Sequence, residues 1–213
     1  MALKEKKNNI VAIIQARENS TRFPGKVLSK INGKSIIQII YDRLLKSRKI
    51  NEIIFAIPNN VQNKNLEKHL RKKKIKYYKG SELDVLRRYL NVATKAGAKN
   101  IVRITGDCPL VDPYLVDKII MRYLKEKADY ASNISPASFP DGMDIEVFSY
   151  KVLRILNKIT SKLSDKEHVT TLINKINCKK INILNKNDYS KENLTLDEKK
   201  DLWKIKKIFN YFH

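Results

Sequence analysis

The sequence predicts an α/β fold, three layers deep, on a mainly parallel central sheet. Three observations carry this. Short apolar runs alternate with amphipathic stretches, the runs end in polar loops containing Gly or Pro, and 213 residues suffice to bury a large core without crosslinks. Alternation of this kind sets parallel strands side by side with helices on both faces.

Ile10–Gln15 (IVAIIQ) is an apolar run before a polar loop, the pattern of a buried parallel strand. Residues 35–47 carry apolar side chains at helical spacing, and 53–57 form the next strand, stopped at Pro58. A basic helix is expected over 62–74 and a short strand over 75–78. Ser81 is the expected N-cap of a helix running to Ala96, with Gly97 as its C-cap. A strand over 101–105 follows, and Asp112-Pro113 opens a helix as cap plus first-turn proline. Short strands are expected near Tyr130 and over 145–148, then a helix over 149–159. Ser164-x-x-Glu167 reads as a capping box opening a helix over 164–176, and 180–184 as a strand. Thr195-x-x-Glu198 reads as a second box, opening a final helix to about Phe212. No repeat or linker interrupts the pattern, so a single domain is expected over 1–213, with 1–8 a flexible basic tail.

Lys plus Arg number 44 against 22 Asp plus Glu, a net charge of +22. That raises nucleic-acid binding as a reading. The lysines are dispersed, however, and the densest run, 64–79, has no aromatic platform beyond Tyr77 and Tyr78. A solvated basic surface fits better, and it would still attract a phosphate-bearing small molecule. Two cysteines (Cys108, Cys178) and three scattered histidines (His69, His168, His213) argue against a disulfide framework, a Cys-rich zinc site and a His-based metal cluster. No run approaches the roughly 20 apolar residues of a membrane span. The lysine-rich start lacks the apolar stretch of a signal peptide, so a reducing, cytoplasmic setting is expected.

In parallel α/β sheets ligands bind beyond the carboxyl ends of the strands, which directs attention to the loops after Gln15 and Thr105. The first, Ala16–Lys26, holds Arg17, Arg22 and Lys26, with Ser20, Thr21 and Gly25 between them. Exposed backbone N–H groups and converging cations suit a triphosphate. Gly33-Lys34-Ser35 mimics the end of a P-loop, but the required first glycine position is Leu28, so that motif fails. The second loop begins with Gly106-Asp107. Asp107 is either a Mg²⁺ ligand beside substrate phosphates or a turn residue capping its own backbone. Arg103, inside the preceding strand, needs a carboxylate such as Asp84 or a nucleotide.

Five segments, IIQARENSTRFPGKVL, RITGDCPLVDP, FPDGMDIEVF, KEHVT and LTLDEKKDL, resemble in type and order the cytidylyltransferases of surface-sugar biosynthesis, above all the SpsF-like spore-coat polysaccharide branch. The wider family includes acylneuraminate and 3-deoxy-manno-octulosonate cytidylyltransferases. The resemblance spans roughly residues 8–205. It implies a Rossmann-like nucleotidyltransferase fold that transfers CMP from CTP to an acidic sugar or a sugar or polyol phosphate, with Mg²⁺ as cofactor and pyrophosphate released. It also implies that Arg17 and Lys26 hold the triphosphate, with Ala16, Ser20, Arg22, Gly25 and Arg103 at the nucleotide, and that residues 81–88 (SELDVLRR) line its base and ribose. Asp107 and Asp197, the latter in Thr195-Leu-Asp197, become the metal ligands, and Asp144, Glu146 and His168 face the acceptor. Asp144 and Glu146 would share one strand face by alternation, as acceptor ligands or as a solvated edge. Asp197 also reads as a first-turn acid favourable to a helix dipole, and His168 as a surface donor. Members of the family often form homodimers, and neither a membrane nor a specific nucleic acid is implied. Two other readings stay open: a metal-dependent glycosyltransferase, which would carry an Asp-x-Asp motif where this chain has Asp144-Ile-Glu146, and a nucleic-acid-binding protein resting on the +22 charge.

Overall fold

A computed structural model describes residues 8–212, so all but one residue of the expected tail lies outside the described residues. Its centre is a seven-stranded sheet in the order β5-β4-β1-β6-β8-β7-β9. The strands are β1 (Ile10–Gln15), β4 (Glu52–Pro58), β5 (Tyr77–Gly80), β6 (Asn100–Thr105), β7 (Tyr130–Ser132), β8 (Glu146–Ser149) and β9 (Lys180–Asn182). β2 (Lys30–Ile31) and β3 (Lys34–Ser35) form a separate two-stranded ribbon. In the sheet only β8 runs antiparallel to its neighbours. The helices are α1 (Ile36–Leu44), α2 (Lys64–Lys72), α3 (Val85–Lys95), α4 (Pro113–Lys125), α5 (Tyr150–Ile159), α6 (Leu163–Glu167) and α7 (Lys199–Tyr211).

Alternation along the strands divides the core. Ile10, Ala12 and Ile14 of β1, with Ile53, Phe55 and Ile57 of β4, pack against α1, α2, α4 and α7. Val11, Ile13, Ile54 and Ala56 face α3 and α5 on the other side. Both faces are apolar because both are covered, which is why these strands read as continuous rather than alternating runs. The chain leaves β1 for β4 and β5 on one side and later crosses to β6 on the other. β1 and β6 therefore flank the point where strand order reverses, with Gln15 level with Thr105. Tyr89 of α3 is buried there, its hydroxyl donating to the carbonyls of Ile13 at 3.0 Å and Ile104 at 3.3 Å.

Several boundaries differ from those expected. β5 starts two residues later than its apolar pattern because its partners are Phe55–Pro58 of β4. α3 is capped by Asp84, which accepts from Arg87 N, while Ser81 accepts from Asp84 N one turn earlier. The helix expected over 164–176 is only the five-residue α6, followed by turns and a short 3₁₀ turn at Ile173–Lys175. Ser164 does not cap it, since Glu167 is drawn to Arg17 instead. The final helix starts at Lys199 with a capping box of Glu198 and Asp201, three residues beyond the expected one. Thr195 is taken by Asn193, whose Oδ1 accepts from its N–H and its hydroxyl.

Candidate active site

A cavity of about 490 Å³ opens over the carboxyl ends of β1 and β6. Ala16, Arg17, Ser20, Arg22 and Lys26 come from the loop after β1, and Thr105, Gly106 and Asp107 from the end of β6. Val85 and Arg88 of α3, Asp141, Asp144, Glu167, His168, Thr195 and Asp197 complete much of the rest.

The first loop is braced from below. The carbonyl of Glu18 accepts from Gly25 N at 2.8 Å, closing the loop on itself. The Glu18 carboxylate accepts from Leu66 N in the first turn of α2 at 3.0 Å, where helix N–H groups lack internal partners. Gly25 is absent from the cavity lining and serves the turn, with φ of 72° in the left-handed region. The second loop crosses so close to the first that Gly106 N donates to the carbonyl of Gln15 at 2.8 Å. A Cβ on Gly106 would stand 2.9 Å from that oxygen and 3.0 Å from Ala16 Cβ, so glycine is required.

The C-terminal segment returns to this rim. Leu196 N donates to the carbonyl of Asp107 at 2.8 Å, and Leu194 N to that of Asp141 at 2.7 Å. The return brings Asp197 beside Asp107. Lys26 Nζ then donates to Asp107 Oδ2 at 2.9 Å and to Asp197 Oδ1 at 3.0 Å, from a side chain only 10% exposed. Arg22 joins from the solvent side, 3.0 Å from Asp197 Oδ2. Burial works against the charge on Asp107, but the Lys26 ammonium and the Thr105 hydroxyl hold its pKa below the ordinary carboxylate value. Asp141 and Asp144 go the other way: burial and neighbouring carboxylates raise both, Asp144 to about 6. Arg17 stands at the opposite wall, 3.1 Å from Glu167 of α6, and Lys166 reaches Asp84 at 3.0 Å.

Of the expected site residues, ten line this one cavity: Ala16, Arg17, Ser20, Arg22, Lys26, Arg103, Asp107, Asp144, His168 and Asp197. Glu146 does not. It heads β8 while Asp144 lies before that strand, so the two do not alternate along it. Its buried carboxylate accepts from Arg103, from the Tyr130 hydroxyl at 2.7 Å and from the Thr170 hydroxyl at 2.6 Å. The partner expected for Arg103 was a carboxylate such as Asp84; Glu146 fills that place from the adjacent strand. Burial opposes the charge of Arg103, and Glu146 more than offsets it, keeping its pKa above the ordinary value. Beyond this pair lies a second cavity of about 480 Å³, which shares Arg103 and His168 with the first and is lined by Ser132, Thr170, Asn174, Lys180 and Asn182 among others. Asp141, Glu167 and Arg88 line the cavity as well. Asp141 and Arg88 lie in segments that the resemblance sets at the acceptor and at the base and ribose without individual roles, and Glu167 reads from sequence only as a capping-box residue.

The donor set tests the implied metal. Asp107 and Asp197 present carboxylate oxygens 2.9 and 3.0 Å from one cation, Lys26 Nζ, and remain partly open to the cavity. Two hard oxygen donors, with the remaining positions left to water and phosphate, suit Mg²⁺. No group of three or more His, Cys, Asp or Glu forms a protein-only metal cage among the described residues.

Comparison with known proteins agrees with this geometry. A family model described as cytidylyltransferase matches residues 11–210. The spore coat polysaccharide biosynthesis protein SpsF of Bacillus subtilis is 33% identical over 172 residues, 78% of this chain and 70% of its own length. A cytidylyltransferase structure from Leptospira borgpetersenii superposes with a TM-score of 0.92 at 28% identity, covering 97% of this chain and 88% of that one. A CMP:2-keto-3-deoxy-manno-octonic acid synthetase complexed with CTP superposes at 0.75 with 17% identity, covering 97% and 100%, a likeness of fold. No helix among the described residues is long and apolar enough to cross a membrane.

Proposed function

Because this chain belongs to the cytidylyltransferase family, a family of nucleotidyltransferases, we propose that it transfers CMP from CTP to an acidic sugar or a sugar or polyol phosphate, releasing pyrophosphate, in the making of a surface polysaccharide. The observation that carries this reading is the bridge from Lys26 to Asp107 and Asp197 at the carboxyl ends of β1 and β6. A cation-rich loop meets two carboxylates at one rim, and a metal-bound triphosphate needs both.

Asp107 and Asp197 would hold Mg²⁺. When bound, it neutralises charge on the α-phosphate and favours attack by an acceptor oxygen. Without nucleotide, Lys26 satisfies both carboxylates and keeps them converged. With nucleotide, Lys26, Arg17 and Arg22 turn their charge to the triphosphate and to the leaving pyrophosphate. The loop backbone after Ala16 and the Ser20 hydroxyl supply neutral donors along the phosphate chain. An acceptor oxygen attacks the α-phosphorus in line with the departing β-phosphate, so catalysis is positioning and charge neutralisation. Asp144 and His168 serve the acceptor, and Glu146 acts there by orienting Arg103. The small side chains around the second cavity, Ser132, Thr170, Asn174 and Asn182, offer the neutral donors and acceptors a polyol requires.

The test is pyrophosphate release with each of the four nucleoside triphosphates against a panel of acidic sugars and sugar phosphates. Activity confined to CTP with one acceptor class is the expected result. Transfer from a nucleotide sugar, or no CTP-dependent release with any acceptor, overturns the reading.

A further inference from the structure

α7 presents two unlike faces. Ile205 and Phe209 are buried, and Leu202 packs against the same core. The opposite side carries Lys200, Trp203, Lys204, Lys207 and Tyr211, which helical spacing gathers into one stripe. Trp203 is 63% exposed and Tyr211 83%. The chain runs on to Phe212, 75% exposed, whose ring meets that of Tyr211 edge-on with centroids 5.0 Å apart.

Lysines frame these rings, and Lys207 Nζ lies 3.6 Å from the centroid of Trp203. Acids do not offset them. Glu198 pairs with Lys200 at 2.8 Å, and the Asp201 carboxylate is taken by the N–H groups of Asp197 and Glu198. From Leu202 to Phe212 the chain has no acid. Asn210 Oδ1 accepts from Asn32 Nδ2 at 3.1 Å, which sets the ribbon of β2 and β3, with exposed Lys30 and Lys34, beside the same helix.

The stripe calls for an anionic partner, and its make-up selects one. A second copy of this chain would bring the same lysines, so a two-fold contact through this face sets like charges together. Nucleic acids favour arginine forks and open aromatic faces. α7 has no arginine, one face of Trp203 lies under Lys207, and Tyr211 and Phe212 pack on each other. Rings rimmed by lysines suit a lipid headgroup layer, where the rings enter the boundary with the acyl chains and the ammonium groups reach the phosphates.

We propose that the outward face of α7 docks on an anionic phospholipid bilayer, lying in the headgroup region with Trp203, Tyr211 and Phe212 directed into it. The helix lies on the membrane and does not span it, since 13 residues are too few. α7 starts two residues after Asp197, so docking holds that end of the cavity rim at the lipid surface.

Trp203 is the only tryptophan in the chain, so its emission reports on this face alone. The test titrates the full chain with vesicles of phosphatidylcholine, and with vesicles in which about one-third of the lipid is phosphatidylglycerol, read by co-sedimentation and by tryptophan emission. The expected result is binding at least about tenfold stronger to the anionic vesicles, with emission shifted to the blue and quenched by brominated acyl chains. Lys200→Glu combined with Lys207→Glu weakens binding roughly tenfold or more, and Trp203→Ala weakens it about threefold to tenfold by co-sedimentation. Lys68→Glu combined with Lys72→Glu, on the exposed side of α2, costs less than about threefold. Equal loss from the two double charge reversals would assign binding to the net charge of +22 and overturn the proposal. So would equal binding to both kinds of vesicle, or anionic binding with unshifted and unquenched emission. Tighter binding to a short DNA duplex than to the anionic vesicles, lost in the same α7 variants, would make the stripe a nucleic-acid surface instead. The emission measurements use the unaltered chain, so they decide the matter even if the variants fail to fold.

Discussion

Two ion clusters sit within one cavity wall of each other, and they are built differently. Arg103 and Glu146 are joined inside the sheet, the carboxylate 2% exposed and also bonded to the hydroxyls of Tyr130 and Thr170. Lys26, Asp107 and Asp197 meet at the rim, the carboxylates 29% and 26% exposed, with Arg22 on Asp197 and the Thr105 hydroxyl and Cys108 thiol beside Asp107. The first cluster balances its charges without a ligand, with only Arg103 Nε left without a partner among its buried side-chain atoms. In the second, Lys26 supplies the positive charge both carboxylates need, a place that a metal-bound triphosphate would take under the proposed function. A closed network fixes geometry; an open one leaves its charges available for exchange.

Substitutions should separate the two. Glu146→Ala leaves a buried guanidinium unpaired and should cost about 3–5 kcal/mol of stability, read by denaturant unfolding. A loss below about 1 kcal/mol would mean the pair is not holding the sheet. Asp107→Asn should lower kcat/KM for CTP by roughly 10²–10³-fold with melting temperature nearly unchanged, since Lys26 keeps Asp197. Equal activity in the variant would remove Asp107 from the chemistry. Asp144 gives a pH signature. Its pKa is raised in the fold, so the folded chain binds this proton more tightly than the unfolded chain does. Its contribution to stability is therefore full below the ordinary carboxylate pKa and is lost as pH rises to about 6. Asp144→Asn should then raise the melting temperature at pH 8 more than at pH 4, and an equal shift at both would refute the assignment. The smallest effect is expected at Glu167→Gln. Its bridge to Arg17 is 46% exposed on both sides, so stability should change by less than about 1 kcal/mol. Freeing Arg17 should lower the KM for CTP by about twofold, and a raised KM would show that Glu167 itself orients the nucleotide.

The sheet and its rim were legible from the chain because burial on both faces leaves a signature: apolar runs such as IVAIIQ and NIVRIT ending in polar loops. The loop cations and Asp107 followed from where those runs stop. The errors cluster where a side chain that looks like a local cap is claimed by something distant. Glu167 answers to Arg17, 150 residues away, not to Ser164. Thr195 does not start a helix, because its N–H and hydroxyl are given to Asn193 and the Leu196 N–H to the carbonyl of Asp107. Ser81 lost its cap to Asp84, and its carbonyl went to Arg88. Glu146 had the spacing of a ligand residue, but the antiparallel register of β8 on β6 set it opposite Arg103. Such partnerships are decided by strand order, which local spacing does not encode.

The bond from Leu196 to Asp107 has a consequence for biosynthesis. Asp197 is 171 residues from the lysine it shares with Asp107. A ribosome must therefore release every residue from 26 to 197 before the second carboxylate can arrive. Under the proposed function, a nascent chain would hold phosphates with its first loop before it could cleave them.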